Sequence, residues 1–389
     1  MDWSKFFQNY SIKNVSFIGL ANISGSGISA IFWLYLADIF GSENYGEISY
    51  LLGIGSIATA ISLFGSEQSM IVYSAKKINI QPPIYIISLI TSLTSAMILY
   101  FSFQNIGLSF FVLGYVLFSL SLSETLGRKF YKNYSIYYLL QKILFVFLAL
   151  LFYFLIGPEG VLLGYGISMF LLLKKIYTSI KFSKIDFKLL KSKSSFLINN
   201  YILDISKASK GQIDKILIAP MFGFSLLGNY FLAIQFLSIL SIIPGIVTKY
   251  TLPEDSSGSK TLKLKLYTLG FTVILCLIGI FLAPIVIPIF FPNYVESLVF
   301  VPIVSISLIP STISSFYVSK FLGMEKSNYV LIGYLISFTT TTLGILYLGV
   351  IWEVVGLALT LVISSSIQAI FFILLDLWKH KSYKKFPKL

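Results

Sequence analysis

Apart from Lys207, Lys210 and Lys215, which lie within one run, basic residues in this chain are confined to one side of the long apolar runs, and no other feature constrains the fold as tightly. Reading between charges and Pro/Gly breaks gives runs at 14–38, 48–70, 82–103, 106–126, 135–156, 159–180, 196–219, 225–248, 266–291, 296–319, 327–350 and 353–376. A helix needs roughly 17–25 residues to cross a bilayer, and each run meets that length. Connections on one side hold Lys76, Lys77, Arg128, Lys129, Lys132, Lys142, the run from Lys174 to Lys193, Lys249, Lys260, Lys263, Lys265, Lys320 and Lys326. Both termini fall on that side. The opposite connections hold Asp38, Glu43, Glu47, Glu159, Glu296 and Glu353, and no Lys or Arg. Lys and Arg are retained in the cytosol, so both ends are expected there. The expected fold is an all-α integral membrane protein of about 12 transmembrane helices in the cytoplasmic membrane.

Composition agrees. Of 389 residues, 56% are hydrophobic and 12% charged, about half the charged share of a soluble protein. The net charge of +13 is mostly a topology signal. With no basic domain outside the spans, nucleic acid is not an expected partner. Cys276 is the only cysteine and His380 the only histidine, which excludes an internal disulfide, a His-based metal centre and a Ser/His/Asp triad. No GxxxxGK[ST] loop occurs, and no cofactor is expected. The opening residues lack a signal-peptide pattern; Trp3, Phe6 and Phe7 suggest an interfacial anchor.

The longest basic connection divides the runs six and six. The expected domains are an N-terminal lobe at 1–180, a linker at 181–195 and a C-terminal lobe with a basic tail at 196–389. In the linker, Phe182, Ile185 and Leu189 share one helical face and Lys181, Lys184, Lys188 and Lys191 another, predicting an amphipathic surface helix. Two echoes suggest a parallel repeat. Phe-Gly-x4-Gly follows the first helix of each lobe, at 40–46 and 222–228, and Gly160-Val161 and Gly356-Leu357 open the last.

The seventh run, FLINNYILDISKASKGQIDKILIA, carries Asp204, Lys207, Lys210, Asp214 and Lys215 within an arc of about 140°, extended by Asn199 and Asn200. Each charge near midspan costs roughly 2.5–3.5 kcal/mol against lipid, so this face must meet protein or water. Two readings stand. Asp204–Lys207 and Lys210–Asp214 could neutralise each other, or the lysines could bind an anionic ligand and Asp204 and Asp214 a coupling ion. In the first run Asn22, Ser26 and Ser29 share a side, open either to ligand contact or to small-residue packing. Glu67, Glu124 and Lys142 fall at helix ends and are expected at the interface; Lys174 and Lys175 are expected to snorkel outward. Pro284, Pro288, Pro292, Pro302 and Pro310 predict kinks in the ninth and tenth helices.

Several motifs resemble the polysaccharide (Wzx-type) flippases of the multidrug/oligosaccharidyl-lipid/polysaccharide exporter superfamily. They are the turn Phe40-Gly41-Ser42-Glu43-Asn44-Tyr45-Gly46 after helix one, Ile213-Asp214-Lys215-Ile216 with Gly223 and Gly228-Asn229-Tyr230, Phe290-Phe291-Pro292-Asn293-Tyr294, and Gly160 and Gly356. Asp38 departs from the basic residue of that family's pattern. The resemblance implies two six-helix lobes around a central cavity, open to each side in turn. It also implies an oligosaccharide on a polyprenyl (pyro)phosphate carrier as substrate, with polysaccharide assembly proteins as further candidate partners. Under it Lys207, Lys210, Lys215, Asn199, Asn200 and Asn22 are the candidate substrate contacts. A drug or cation exporter of the same superfamily is the alternative, but would want an acidic cavity. A membrane polymerase or ligase would need a large exterior catalytic loop, which is absent, so the chain is not expected to be an enzyme.

Overall fold

The computed structural model describes residues 10–182, 185–256, 261–324 and 326–385. The anchor residues Trp3, Phe6 and Phe7, together with Lys184, lie outside them, as do the side chains of the tail from 379 onward. Every regular element among the described residues is a helix. In chain order they are α1 (Tyr10–Leu63), α2 (Ser66–Ala75), α3 (Gln81–Phe103), α4 (Ile106–Gly127), α5 (Tyr131–Ile156), α6 (Glu159–Ser168), α7 (Leu173–Phe182) and α8 (Phe187–Lys191). There follow α9 (Ser194–Phe222), α10 (Phe224–Leu240), α11 (Ile242–Ser256), α12 (Leu262–Phe290), α13 (Ser297–Ile306), α14 (Leu308–Gly323), α15 (Ser327–Gly344) and α16 (Val350–Lys385).

By length and composition, seven helices among the described residues can cross a membrane, or nine if each bent pair counts as one span. Two of the seven, Phe17–Leu63 and Ser327–Trp378, run 47 and 52 residues, enough for two crossings each at roughly 20 residues per span. Each is broken inside, the first at Gly41 (φ 70°, ψ 171°) and the second at Glu353 (φ 42°, ψ −116°). Dividing both there and admitting α9 with its charges returns the twelve segments read from the sequence. The bent pairs have one cause. Pro244 cannot donate to the carbonyl of Leu240, where α10 ends, nor Pro310 to that of Ile306, where α13 ends. The bends there are 53° and 42°. In the ninth expected span α12 runs as one helix across Pro284 and Pro288.

Contacts gather into two compact units, one of residues 1–32 and 51–208, the other of 33–50 and 209–389. Residues 196–208, expected with the second lobe, thus pack in the first unit, and 33–50 pack in the second. The linker is not one amphipathic helix. Asp186 caps α8, its Oδ1 accepting from the Leu189 N–H at 2.9 Å, and α8 is only five residues long. Phe182 is 76% exposed, whereas Leu190 packs into a core with Tyr85, Leu120 and Leu197.

The repeat is written in the backbone. Gly41 and Gly223 share one unusual conformation, Gly223 having φ 89° and ψ 165°. Within the second unit the two motifs then meet reciprocally. A Cβ on Gly46 would strike the carbonyl of Phe224, and one on Gly228 the carbonyl of Ser42. Ser42 and Ser225 hydroxyls bond across the contact at 2.8 Å. At the other echo, a Cβ on Gly160 would strike the Phe152 carbonyl and one on Gly356 the Leu348 carbonyl, eight residues back in both units. Gln141 bonds Ser168 in the first unit at 3.0 Å, and the matching positions Ser337 and Ser364 bond at 2.9 Å in the second. Close packing of small residues is the main glue between membrane helices, because lipid removes the hydrophobic drive.

The resembling motifs complete this clasp. Tyr45, Tyr230 and Tyr294 are fully buried, the Tyr294 hydroxyl donates to the Ala37 carbonyl at 2.6 Å, and Asn229 Oδ1 accepts from the Ser297 N–H at 3.1 Å. Burial raises the Tyr294 hydroxyl above the usual phenol range, the Asp38 carboxylate adding to the shift. Gly46→Val and Gly228→Val should each destabilise the protein by about 1–3 kcal/mol or abolish its accumulation. Gly19→Val, with open space at its Cβ, should leave thermal unfolding in detergent near wild type.

Candidate functional site

The charged face of the seventh expected span lies on α9, and the two units share it at Ala208/Ser209. Five predicted site residues stand in the first unit: Asn22, Asn199, Asn200, Asp204 and Lys207. Lys210, Asp214 and Lys215 stand in the second.

In the first unit, α9 brings half-buried Asp204 and exposed Lys207 within electrostatic reach of Glu67 on α2. Tyr115 on α4 faces the same acidic pair. The Asn22 side chain on α1 lies near the Tyr134 hydroxyl and Ser26 near that of Tyr138, both on α5. These two tyrosine rings stack in parallel, 6.3 Å apart. Asn22 also donates to its own helix at Ile18 and Asn200 to Phe196, which occupies half of each amide, while Asn199 is exposed. One turn beyond Tyr138, the Lys142 ammonium lies over two rings, 5.4 Å from the centre of Tyr138 and 6.0 Å from that of Tyr165. Among the described residues Lys142 makes no ion pair.

The second unit repeats this arrangement with different donors. Lys210 lies 5.4 Å from the ring of Tyr334, which holds on α15 the repeat position of Tyr138 on α5. Its ammonium donates to Gln368 Oε1 on α16 at 2.5 Å, and the Gln368 amide is in turn anchored on the Gly333 carbonyl at 3.0 Å. It too makes no ion pair among the described residues. Asp214 and Lys215 are each 8% exposed. Both Asp214 oxygens are occupied, Oδ1 by the Lys215 backbone N–H at 2.8 Å and Oδ2 by the Tyr230 hydroxyl at 2.7 Å. The Lys215 ammonium donates to Gln212 at 2.6 Å and lies over the Phe231 ring.

Three expectations are corrected by this geometry. Lys210 does not pair with Asp214; its i,i+4 neighbour turns instead to Tyr230. Lys142 lies eleven residues into α5, which begins at Tyr131 rather than 135, and is half-buried against two rings. Glu124 is 2% exposed and holds Arg128 at 2.7 Å, Lys175 at 3.2 Å and the Tyr85 hydroxyl at 2.7 Å. Lys175 therefore turns inward rather than snorkelling, donating also to Ser121 O and Thr125 Oγ1. Sequence reasoning also missed Tyr138, Tyr165, Tyr334 and Gln368. Lys142 was legible as a solitary charge in an apolar run. The rings were not, because aromatic residues are spread over nearly every span.

No protein-family model matches the chain, and no curated protein matches it in sequence. Solved structures share its fold. A multidrug resistance MATE family transporter of the MOP superfamily, in its inward-facing conformation, is 14% identical with a TM-score of 0.71, over 93% of this chain and 96% of that one. The lipid II flippase MurJ in an inward closed conformation is 15% identical with a TM-score of 0.75, over 92% of this chain and 86% of that one. A MOP superfamily transporter from Pyrococcus furiosus, described by a reverse polarity of its binding pocket, is 15% identical with a TM-score of 0.62, over 97% of both chains. The chain has the fold of these membrane transporters.

Asp214 and Tyr230 make a further expectation. Tyr230→Phe removes a bond to a buried carboxylate and should cost about 1.5–3 kcal/mol of stability, and Asp214→Asn should reduce that cost to below about 1 kcal/mol. A double-mutant cycle on thermal unfolding measures the difference.

Proposed function

We propose that the chain is an alternating-access transporter that carries a polyprenyl-(pyro)phosphate-linked oligosaccharide from the cytosolic to the outer leaflet, for surface polysaccharide synthesis. One observation carries the reading: each unit holds, within its helices, a lysine that no carboxylate among the described residues neutralises. Lys142 and Lys210 rest on tyrosine rings and, for Lys210, on one amide oxygen. A desolvated cation–π contact is worth about 2 kcal/mol, against roughly 2.5–3.5 kcal/mol to bring the charge in. A phosphate supplies the remainder. Lys207 and Lys215, with Asn22, Asn199 and Asn200, complete the proposed polar contacts. Asp204 beside Glu67 is the proposed coupling-ion site. Asp214, whose oxygens are both bonded, is left to structure.

A pyrophosphate carries about two negative charges. With an interior-negative potential of about 100 mV, outward transfer gains about 4–5 kcal/mol. Ion coupling is then an addition to the driving force and not a requirement.

A second reading has its own support. Glu67 and Asp204 among Tyr115, Tyr134 and Tyr138 would suit an organic cation, as a drug exporter of the same fold requires.

The two are separated by what accumulates without the protein. Its loss should leave lipid-linked oligosaccharide in the cytosolic leaflet with drug sensitivity unchanged. Lys142→Ala with Lys210→Ala should lower outward flipping in proteoliposomes by at least about tenfold, as expected for losing charge-assisted bonds to phosphate. Normal flipping by a well-inserted double variant would rule the assignment out, and drug sensitivity without lipid accumulation would establish the second reading.

A further inference from the structure

The repeat departs from itself at the end of the spans that the basic residues assign to the cytosol. In the first unit α3 packs along α7 there, and Tyr85, Leu120, Ile176 and Leu190 fill the space beside α4. In the second unit the corresponding helices, α12 and α16, hardly meet. A cleft of about 840 Å³ opens between them and α14 instead. A shared helix end fixes the register of the comparison. After α4 the Phe130 N–H reaches the Thr125 carbonyl at 3.1 Å, and after α14 the Lys326 N–H reaches that of Phe321 at 2.8 Å. Phe316 therefore holds the position of Leu120, and Lys320 that of Glu124.

Charge and apolar surface are sorted along the cleft in one order on all three helices. Lys263 and Lys265 stand in the first turn of α12, Lys320 in the last turn of α14, and Asp376 toward the cytosolic end of α16. Leu266 and Leu269, Ile313 and Phe316, and Ile373 line it on the side of the membrane interior. Ile313 precedes Lys320 by two turns, which sets it about 10 Å deeper. The cleft is thus polar at its mouth and apolar within, as a lipid is from head to chain.

The sign of the mouth is positive. The Lys320 ammonium donates to both Asp376 oxygens, at 2.6 and 2.7 Å, which cancels the acidic charge among the lining residues. Lys263 is exposed and makes no ion pair among the described residues. The Lys265 ammonium lies over the buried Phe316 ring, 5.9 Å from its centre. The chain's own tail has the wrong charge to fill such a cleft, with five lysines and no acid beyond Asp376. Lipid has access: α12 is the most apolar of the seven candidate spans, and Leu262 and Leu266 are 68% and 57% exposed.

We propose that this cleft holds one anionic phospholipid of the cytosolic leaflet, with an acyl chain among Leu266, Leu269, Ile313 and Ile373 and the phosphate beside Lys263 and Lys265. Basic pockets between spans on the cytosolic side suit such headgroups. The lipid fills in the second unit the space that Ile176 and Leu190 fill in the first. The inference rests on the fold and its membrane setting, and stands whatever the transporter carries.

The test uses the full-length protein in phosphatidylcholine nanodiscs doped with phosphatidylglycerol that carries a diazirine in its acyl chain. The same diazirine chain on phosphatidylcholine is the comparison. After illumination, labelled residues are mapped by mass spectrometry, and thermal unfolding is followed in parallel. Residues 262–269 and 313–324 should be labelled more by the anionic lipid than by the zwitterionic one. Lys263→Gln with Lys265→Gln should lower that labelling by at least about fivefold. Lys132→Gln with Lys188→Gln, two exposed lysines that do not line the cleft, should leave it unchanged. Asp376→Asn, which frees Lys320 for the phosphate, should raise it by at least about twofold. Equal labelling by the two lipids, labelling by neither, or full labelling of a normally stable Lys263/Lys265 double variant overturns the site. So does a fall in labelling on Asp376→Asn without loss of thermal stability.

Discussion

Placing charge where neither water nor lipid can solvate it is the constraint on which this structure turns. The protein meets it in three ways. Glu124 is answered by two cations and a phenol, a cluster with little left to offer a ligand. Asp214 is answered by a backbone N–H and the Tyr230 hydroxyl, which makes it part of the packing. Among the described residues Lys142 and Lys210 are answered only by rings and one amide. The third solution is the least complete, and incompleteness of this kind marks a functional group inside a membrane more often than a structural one.

The close contacts explain how such charges can be held in register. Glycine at 46, 228, 160 and 356 lets backbone meet backbone, and the facing carbonyls leave no room for a Cβ. Where the repeat changes a residue, its partner changes too. Gly164 faces Leu148 in the first unit, while in the second the matching pair is Thr360 facing Gly344. The small residue has moved to the other helix and the contact has survived. Selection for the contact, not for the residue, is the simplest account of that exchange.

Much of this was legible in the sequence because the signals were one-dimensional. Alternating charge on the connections gave the spans, and the two Phe-Gly-x4-Gly motifs gave the repeat. Pro310 gave its bend, but Pro244 passed unnoticed within an apolar run. The site was harder to read, because a helical wheel says which residues share a face and nothing about what stands opposite. Lys210 and Asp214 have ideal spacing for a pair, yet each finds a better partner on another helix. Lys142 was legible as a charge, but not the two rings that it rests on. The linker failed for a related reason: Asp186 competes for the backbone as a cap and stops the amphipathic pattern from becoming one helix.

The way the two lysines are held also bears on release. A carrier must bind its cargo and then let it go, so the resting partner of each binding group should be neither too strong nor absent. Had Lys142 or Lys210 been paired with a carboxylate, an arriving phosphate would have to displace a charge of its own sign, and the exchange would be close to neutral. A tyrosine face puts no such anion in the way. It holds the ammonium with a contact worth about 2 kcal/mol and leaves its N–H donors largely free to turn toward an oxygen. Under the proposed function, the ring remains in place to receive the ammonium again when the anion leaves.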